Sequence, residues 1–445
     1  MGLAANCLDY YFNSLGMKRI VTLISPLVFV ILFLPSCKES SFVTTRGNQF
    51  YVHEEPYIFM GTNYWYGGYL WQDSLNNGRE RLQKELDFLV SKGITNLRVM
   101  IAGEGDGSYP FRIHPAVQEN PGIFDESILK SFDFFVAEAG KRNLRLIMVL
   151  NNNWEWSGGF GKYLEWAAKG TAPWSKTESW DWDAYRTYIS QFYSCKPCLE
   201  ANEKWIKTII SRKNTFNHKY YFDDPAIMTW ELANEPRPMM PEAVEAYIEW
   251  VKKSAILIKS LAKNQLVTIG VEGYYGTEQD MGLFENIHKI DEIDYATIHI
   301  WPKTWQWYDG KSENSVTQVT LKKTIDYMDA HSKVMKKINK PLVLEEFGLH
   351  RDGNDFSPEA TVDNRDVYYT TVFKTGMVNG IAGYNFWGAF TLENKTTPDH
   401  FWKHGMPYSA DPPQEEQGLY GVYMEDSTTW KIISDFAKKI QGTEF

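Results

Sequence analysis

Eight short apolar runs, separated by longer stretches of helical pattern, constrain the fold of this chain more than any other feature. They are Tyr57–Asn63, Ile94–Ile101, Leu144–Leu150, Ala226–Ala233, Leu266–Val271, Tyr295–Ile300, Leu342–Glu346 and Gly383–Trp387. Between them apolar residues recur near every third or fourth position, as Leu82, Leu86 and Leu89 do in Arg79–Ser91, which predicts helices. Further helical patterns cover 126–141, 200–212, 241–263, 318–338 and 363–377, and one at 427–440 closes the series. Only the link after the fifth run, 275–290, is weakly patterned. Strands alternating with helices make parallel pairs, because a parallel connection needs a crossover long enough to hold a helix. Eight such units predict a (β/α)8 barrel, the TIM barrel, in a single domain over 42–445. An open doubly wound sheet is the competing architecture. Its Gly-x-Gly-x-x-Gly turn is absent after the first strand, which runs into Gly61-Thr62-Asn63-Tyr64-Trp65-Tyr66-Gly67-Gly68. Residues 42–56 read as a short β-hairpin turning at Arg46-Gly47-Asn48, placed to plug the barrel floor.

The formal net charge is −10 with both signs well mixed, which argues against nucleic acid or an anionic membrane as the main partner. The 17 Trp and 26 Tyr suit stacking on sugar rings as well as core packing. Residues 20–35 are uncharged and apolar and follow Lys18-Arg19, the form of an export signal, with Met17 as an alternative start. The run ends Leu34-Pro35-Ser36-Cys37, which resembles a bacterial lipobox in which the cysteine is lipidated. Residues 1–36 are thus expected to be a leader, and Cys37 a lipid anchor that is the chain's one tie to a membrane. An ordinary signal peptide with an incidental cysteine is the alternative. Either way the protein is exported, to the periplasm, the outer membrane or the cell surface, and it is expected to be a monomer.

Of the 4 cysteines, Cys7 lies in the leader, and Cys195-Lys196-Pro197-Cys198 lies in the domain. No second cysteine pair or histidine cluster completes a zinc site, so neither metal nor cofactor is expected. In an oxidising compartment the pair is expected to be a local disulfide.

In a (β/α)8 barrel, chemistry sits at the C-terminal strand ends. The fourth strand runs into Asn234-Glu235-Pro236, and Pro236 stops regular structure and leaves Glu235 on the rim. The seventh ends Leu344-Glu345-Glu346-Phe347-Gly348, where alternation lets only one glutamate face the site. Two carboxyls facing one cleft about 5–5.5 Å apart are the acid/base and nucleophile of a retaining glycosidase.

Trp230-Glu231-Leu232-Ala233-Asn234-Glu235-Pro236 together with Glu345-Glu346-Phe347-Gly348 resembles glycoside hydrolase family 5, over essentially all of 42–445. Asn96-Leu97-Arg98, His299 in Thr297-Ile298-His299-Ile300-Trp301-Pro302, and Trp387 in Tyr384-Asn385-Phe386-Trp387-Gly388 match in order. Asn151-Asn152-Asn153-Trp154-Glu155-Trp156-Ser157-Gly158-Gly159 and His299-Ile300-Trp301-Pro302-Lys303-Thr304-Trp305 are most similar to its endo-β-1,4-mannanases. The resemblance implies that Glu235 is the acid/base and that Glu346, rather than Glu345, is the nucleophile. It also implies that Arg98 keeps Glu346 ionised, that Asn234 binds the 2-hydroxyl of the −1 sugar, and that Trp387 stacks on that sugar. Trp65, Trp154, Trp156, Trp305 and Glu155 are further candidates for substrate contact. Many relatives carry His-x-Tyr where this chain has His299-Ile300-Trp301, which leaves Trp301 either a donor to the nucleophile or a subsite wall. His299 is read as a direct catalytic contact or as a rim residue that orients a neighbour. The implied substrate is a β-mannan polysaccharide: mannan, glucomannan or galactomannan. Alternatives on the same barrel are an endoglucanase or an exo-β-mannosidase, and a non-catalytic glycan-binding lipoprotein is a third reading.

Overall fold

The computed structural model describes residues 41–72, 77–174, 180–310, 318–357, 359–390 and 400–442, and the expected leader, with Met17 and Cys37, lies outside them. The eight expected strands form as β4 (Phe59–Asn63), β5 (Asn96–Met100), β6 (Arg145–Val149), β7 (Ile227–Glu231), β8 (Leu266–Thr268), β9 (Ala296–Ile300), β10 (Leu342–Phe347) and β11 (Gly383–Phe386). They hydrogen-bond in the order β8-β7-β6-β5-β4-β11-β10-β9, each ladder parallel. The seam between β8 and β9 is bridged by Asp294 N–H to Val267 O (2.9 Å) and His299 N–H to Glu272 O (3.0 Å). This is the predicted barrel.

The fifth strand is shorter than its apolar run because Gly270 turns the backbone to φ +86°, where a side chain would collide with the Glu231 carboxylate. The N-terminal segment is a three-stranded antiparallel meander, β1 (Thr44–Arg46), β2 (Gln49–Val52) and β3 (Glu55–Tyr57), rather than a hairpin. The extra strand forms because His53 and Glu54 both adopt positive φ and turn the chain back a second time. Phe50 from β2 fills the barrel floor, 6.0 Å from the ring of Phe59 and edge-on to Tyr295 at 5.2 Å, among Ile147, Met228 and Val343.

Helices surround the sheet: α1 (Gly78–Ser91), α2 (Glu126–Lys141), α3 (Gly159–Trp166), α4 (Trp182–Ser190), α5 (Lys196–Ile210), α6 (Val244–Leu261), α7 (Met281–His288), α8 (Gln318–Ile338), α9 (Asp363–Asn379) and α10 (Ser427–Gln441). In α2 the Asp125 side chain caps the first turn by accepting from Ser127 and Ile128 N–H. Its buried face (Ile128, Phe132, Phe135, Val136, Ala139) is the stripe that a period of 3.6 produces. The weakly patterned link holds the short α7, while α3 and α4 are additions to the predicted set. Cys195 and Cys198 are disulfide-bonded (S–S 2.07 Å) at the start of α5. A last parallel pair, β12 (Ala389–Phe390) with β13 (Val422–Tyr423), ties the segment after β11 back to the rim.

Candidate active site

Above the apolar floor the barrel interior turns polar. The upper ends of β4, β5, β7, β9 and β10 bring Asn63, Arg98, Glu231, His299, Glu345 and Glu346 together, all buried. Arg98 organises them. Its guanidinium grips Glu231 through Nε (2.9 Å) and Nη2 (2.6 Å), and donates to Asn63 Oδ1 (3.0 Å), Asn234 Oδ1 (2.8 Å) and Glu346.

Glu235 follows β7 with the backbone at φ +51°, held by its N–H to Gly270 O (2.9 Å). Its neighbour Asn234 bridges to Asn152 after β6, and Asn234 Nδ2 donates to Asn152 Oδ1 (3.1 Å). The Glu235 carboxyl is clamped on both oxygens, by His299 Nδ1 at 2.7 Å and Trp154 Nε1 at 2.6 Å. Glu346 is clamped in the same way, by Arg98 and by the Trp301 indole N–H at 3.1 Å. Trp301, whose role the sequence left open, is therefore a donor to the second carboxylate as well as part of the cleft lining. Ligand-type atoms of Glu235, His299 and Glu346 all lie within 4.8 Å of one another. This is the one such group among the described residues, and each of its carboxyl oxygens has a nitrogen partner, in Arg98, Trp154, Trp301 or the His299 ring. Oxygens this close allow the two carboxyls to act on one bond.

Burial drives the Glu235 carboxyl up from its ordinary range, against the opposing pull of Arg237, the Trp154 N–H and Arg98. Burial and the Glu235 charge also push Glu346 up, but Glu346 alone of the two touches Arg98. Two carboxyls this close do not both ionise freely, and the contact with the cation biases the shared proton toward Glu235. Burial, helped by Arg98, pushes His299 down to about 3, so its ring is neutral.

The expectation that one of Glu345 and Glu346 must turn away needs correction. The β10–β9 register shifts between Leu344 and Glu346, which is a bulge, and both side chains turn inward. Glu346 lines the cleft, while Glu345 sits beneath it, 3.6 Å from Arg98 Nε.

The cleft has a volume of about 440 Å3. Of the predicted aromatics, Trp154, Trp156, Trp301, Trp305 and Trp387 line it. Trp387 and Tyr420 pack edge to face on Trp301, at 5.6 and 5.0 Å. Trp65 and Glu155 are outside the cleft lining. The Trp65 indole N–H holds Ala410 O (2.8 Å) and its ring packs on Trp156 and Tyr408, so it supports a cleft loop from behind. Glu155 is buried, and its carbonyl accepts from Arg112.

Sequence reasoning missed several lining residues. Arg237 and Glu272 form an ion pair (2.5 Å) beside Glu235. Trp182 lies near-parallel to Trp154 at 6.2 Å, and Tyr275 packs against Trp305 at 4.2 Å with the rings tilted by 30°. Arg237 is the residue after the Asn234-Glu235-Pro236 turn and was within reach; Trp182 opens a helix that no periodicity announced.

A profile of glycoside hydrolase family 5 β-mannosidase-like proteins matches residues 40–444. The putative mannan endo-1,4-beta-mannosidase 4 of Arabidopsis thaliana is 30% identical over 418 residues, covering 90% of this chain and 91% of its own. Mannan endo-1,4-beta-mannosidase 5 of Solanum lycopersicum is 31% identical over 382 residues, 82% of this chain and 84% of its own. The crystal structure of a glycoside hydrolase family 5 mannosidase from Rhizomucor miehei is similar with a TM-score of 0.82 at 30% identity, covering 90% of this chain and 98% of that one.

Proposed function

The chain belongs to glycoside hydrolase family 5, in its β-mannosidase-like group, and from that membership we propose that it is a retaining endo-β-1,4-mannanase. One observation carries the mechanism: two buried carboxyls with oxygens within 4.8 Å, of which only Glu346 is held by a guanidinium. Glu346 attacks the anomeric carbon as Glu235 protonates the departing glycosidic oxygen. Glu235 then takes a proton from water, and the resulting hydroxide equivalent releases the sugar from Glu346. Asn234, with its oxygen fixed by Arg98, presents its amide to the 2-hydroxyl of the −1 sugar, and Trp387 forms the platform beneath that sugar.

Substrates are mannan, glucomannan or galactomannan. Support for chain cleavage, rather than release of single sugars, comes from aromatic rings beside both carboxyls: Trp301 and Trp387 near Glu346, Trp154 and Trp182 near Glu235. Digestion of mannan, cellulose and xylan side by side tests the reading. Mixed oligosaccharides from mannan at early times are expected. Mannose alone would assign an exo-mannosidase, preferential cleavage of cellulose an endoglucanase, and binding without new reducing ends a glycan-capture protein. Glu235→Ala and Glu346→Ala are each expected to nearly abolish hydrolysis, and wild-type turnover in Glu346→Ala would sink the assignment.

The same proposal places the enzyme outside the cytoplasm as a monomer anchored through lipidated Cys37, on the strength of the basic and apolar run before it. Detergent-phase partitioning of the wild type, lost in Cys37→Ala, is the expected result. Equal partitioning of the two would remove the anchor.

A further inference from the structure

Glu345 is fully buried at the bulge of β10, outside the cleft and with no contact to Glu235, and the mechanism above does not use it. We propose that Glu345 is a positioning residue that keeps its carboxyl proton in the working enzyme and, by donating it to His299 Nε2, fixes the imidazole with its own N–H on Nδ1, aimed at Glu235. The proposal rests on Glu235 being the acid/base.

A count of donors carries the first half. A guanidinium has five N–H groups. Those of Arg98 go to Glu231 Oε2, Glu231 Oε1, Asn63, Asn234 and Glu346. Glu345 Oε2 lies 3.6 Å from Arg98 Nε, whose single hydrogen is already committed to Glu231, and Glu345 Oε1 has no hydrogen-bond partner among the described residues. One cation thus faces three buried carboxyls, and Glu345 is the one left without a donor. A carboxylate in that position has lost its water and gained nothing, whereas a carboxylic acid brings its own donor. Glu231 is a near neighbour of Glu345, and its negative charge, held by two N–H groups of Arg98, is a second reason for Glu345 to stay neutral. The groups facing Glu345 are Arg98 from β5, Glu231 from β7, Tyr295 just before β9, His299 from β9, and Glu346 from β10. Burial and the neighbouring carboxylates push Glu345 well up, in the same direction.

The second half follows from the imidazole. Its Nδ1 lies 2.7 Å from Glu235 Oε1 and 3.3 Å from Glu346 Oε2, and a bare lone pair there would face two carboxyl oxygens. The hydrogen therefore belongs on Nδ1. That leaves Nε2 as an acceptor, with Glu345 Oε2 at 3.5 Å as its partner. In the opposite tautomer, Glu235 would spend its proton on Nδ1 instead of directing it at the leaving oxygen. Glu345 thus keeps the proton of the acid free for the substrate.

Three measurements test this. Gln reproduces the shape and the donor of a neutral acid, so Glu345→Gln is expected to keep kcat within about threefold and leave the pH profile in place. Glu345→Leu, with no donor, is expected to lose about tenfold or more in kcat with little change in KM. At neutral pH, the infrared difference between wild type and Glu345→Gln should show the C=O stretch of a protonated carboxyl, and nitrogen NMR should find His299 protonated on Nδ1 in both. A carboxylate band in that difference, an Nε2–H tautomer, or Glu345→Gln as impaired as Glu345→Leu would overturn the proposal. Should the Leu variant fail to fold, the Gln variant and the spectra still decide. The spectra need no substrate, so failure of the acid/base assignment, seen as turnover in Glu235→Ala, stays distinguishable from failure here.

Discussion

Replacing Trp301 by Phe keeps an aromatic ring in the cleft wall and removes one N–H. That N–H reaches Glu346 Oε2 at 3.1 Å and is half of the clamp on the proposed nucleophile, Arg98 being the other half. A hydrogen bond to a charged group contributes about 1.5–3 kcal/mol, and it favours the ionised form over the protonated one. At about 1.36 kcal/mol per pH unit, losing it raises the Glu346 pKa by about 1–2 units. Glu346 must be ionised to attack, so activity is lost on the acid side as pH falls through its pKa. Raising that pKa moves the acid limb of the kcat/KM profile upward by the same amount. The lower end of the range applies, because Arg98 still holds the other oxygen. Initial rates on a soluble aryl β-mannobioside across the acid range measure the limb directly, since kcat/KM reports the free enzyme. Trp301→Tyr, which restores an O–H donor, should bring the limb part of the way back. If Trp301 were only a subsite wall, the Phe variant would raise KM for longer mannooligosaccharides and leave the acid limb in place. That result would refute the donor role.

Trp154→Phe acts on the other carboxyl with the opposite consequence for the profile. Its N–H holds the Glu235 pKa down, so removal should carry the alkaline limb, where Glu235 loses its proton, to higher pH; a downward move on the same assay would contradict the clamp. Gly270→Ala would put a Cβ 2.2 Å from Glu231 Oε1 at φ +86°, so we expect a loss of about 1–3 kcal/mol in thermal unfolding together with reduced kcat as Glu231 and Arg98 shift. Unchanged Tm and kcat would show that both Glu231 and the Ala233 carbonyl, 2.1 Å from the added Cβ, have room to move. Replacing both Cys195 and Cys198 by Ala opens a very short loop, worth about 2 kcal/mol of chain entropy, and should lower Tm by only a few degrees without touching kcat.

Several long helices were legible to within a residue or two: 318–338 is α8 as drawn, and 427–440 is α10 short of its last residue, whereas α5 begins four residues before the expected 200 and α6 three residues after the expected 241. Burying one face imposes a period on many consecutive residues, and that repetition makes such helices readable. The cleft loops impose none. α3 and α4 are short, and Trp182 enters the cleft from the first turn of α4. Tyr420 and Pro412 reach the same cleft from a segment after β11 whose placement depends on contacts such as Trp65 with Ala410, far apart in the chain. Trp65 shows the converse: its place in a rim motif suggested a substrate contact, but its indole is used inside the protein.

Glu345 and Glu346 mark the sharpest limit. Alternation gives one inward and one outward side chain only while the ladder is unbroken. Whether it breaks is decided across the sheet, where Leu344 pairs with Ile298 but Glu346, two residues on, pairs with the very next residue of β9, His299. No residue of β10 announces that slip, so the extra inward carboxyl could not be read from β10 alone. Its consequence is a barrel centre that breaks the ordinary rule for buried charge, with three carboxyls around one guanidinium. Such an arrangement is costly to fold and survives where the surrounding fold holds it in place. In the mechanism proposed above it keeps Glu346 ionised for attack and steers a proton toward Glu235, and both tasks depend on the inward turn that the pattern of β10 did not foretell.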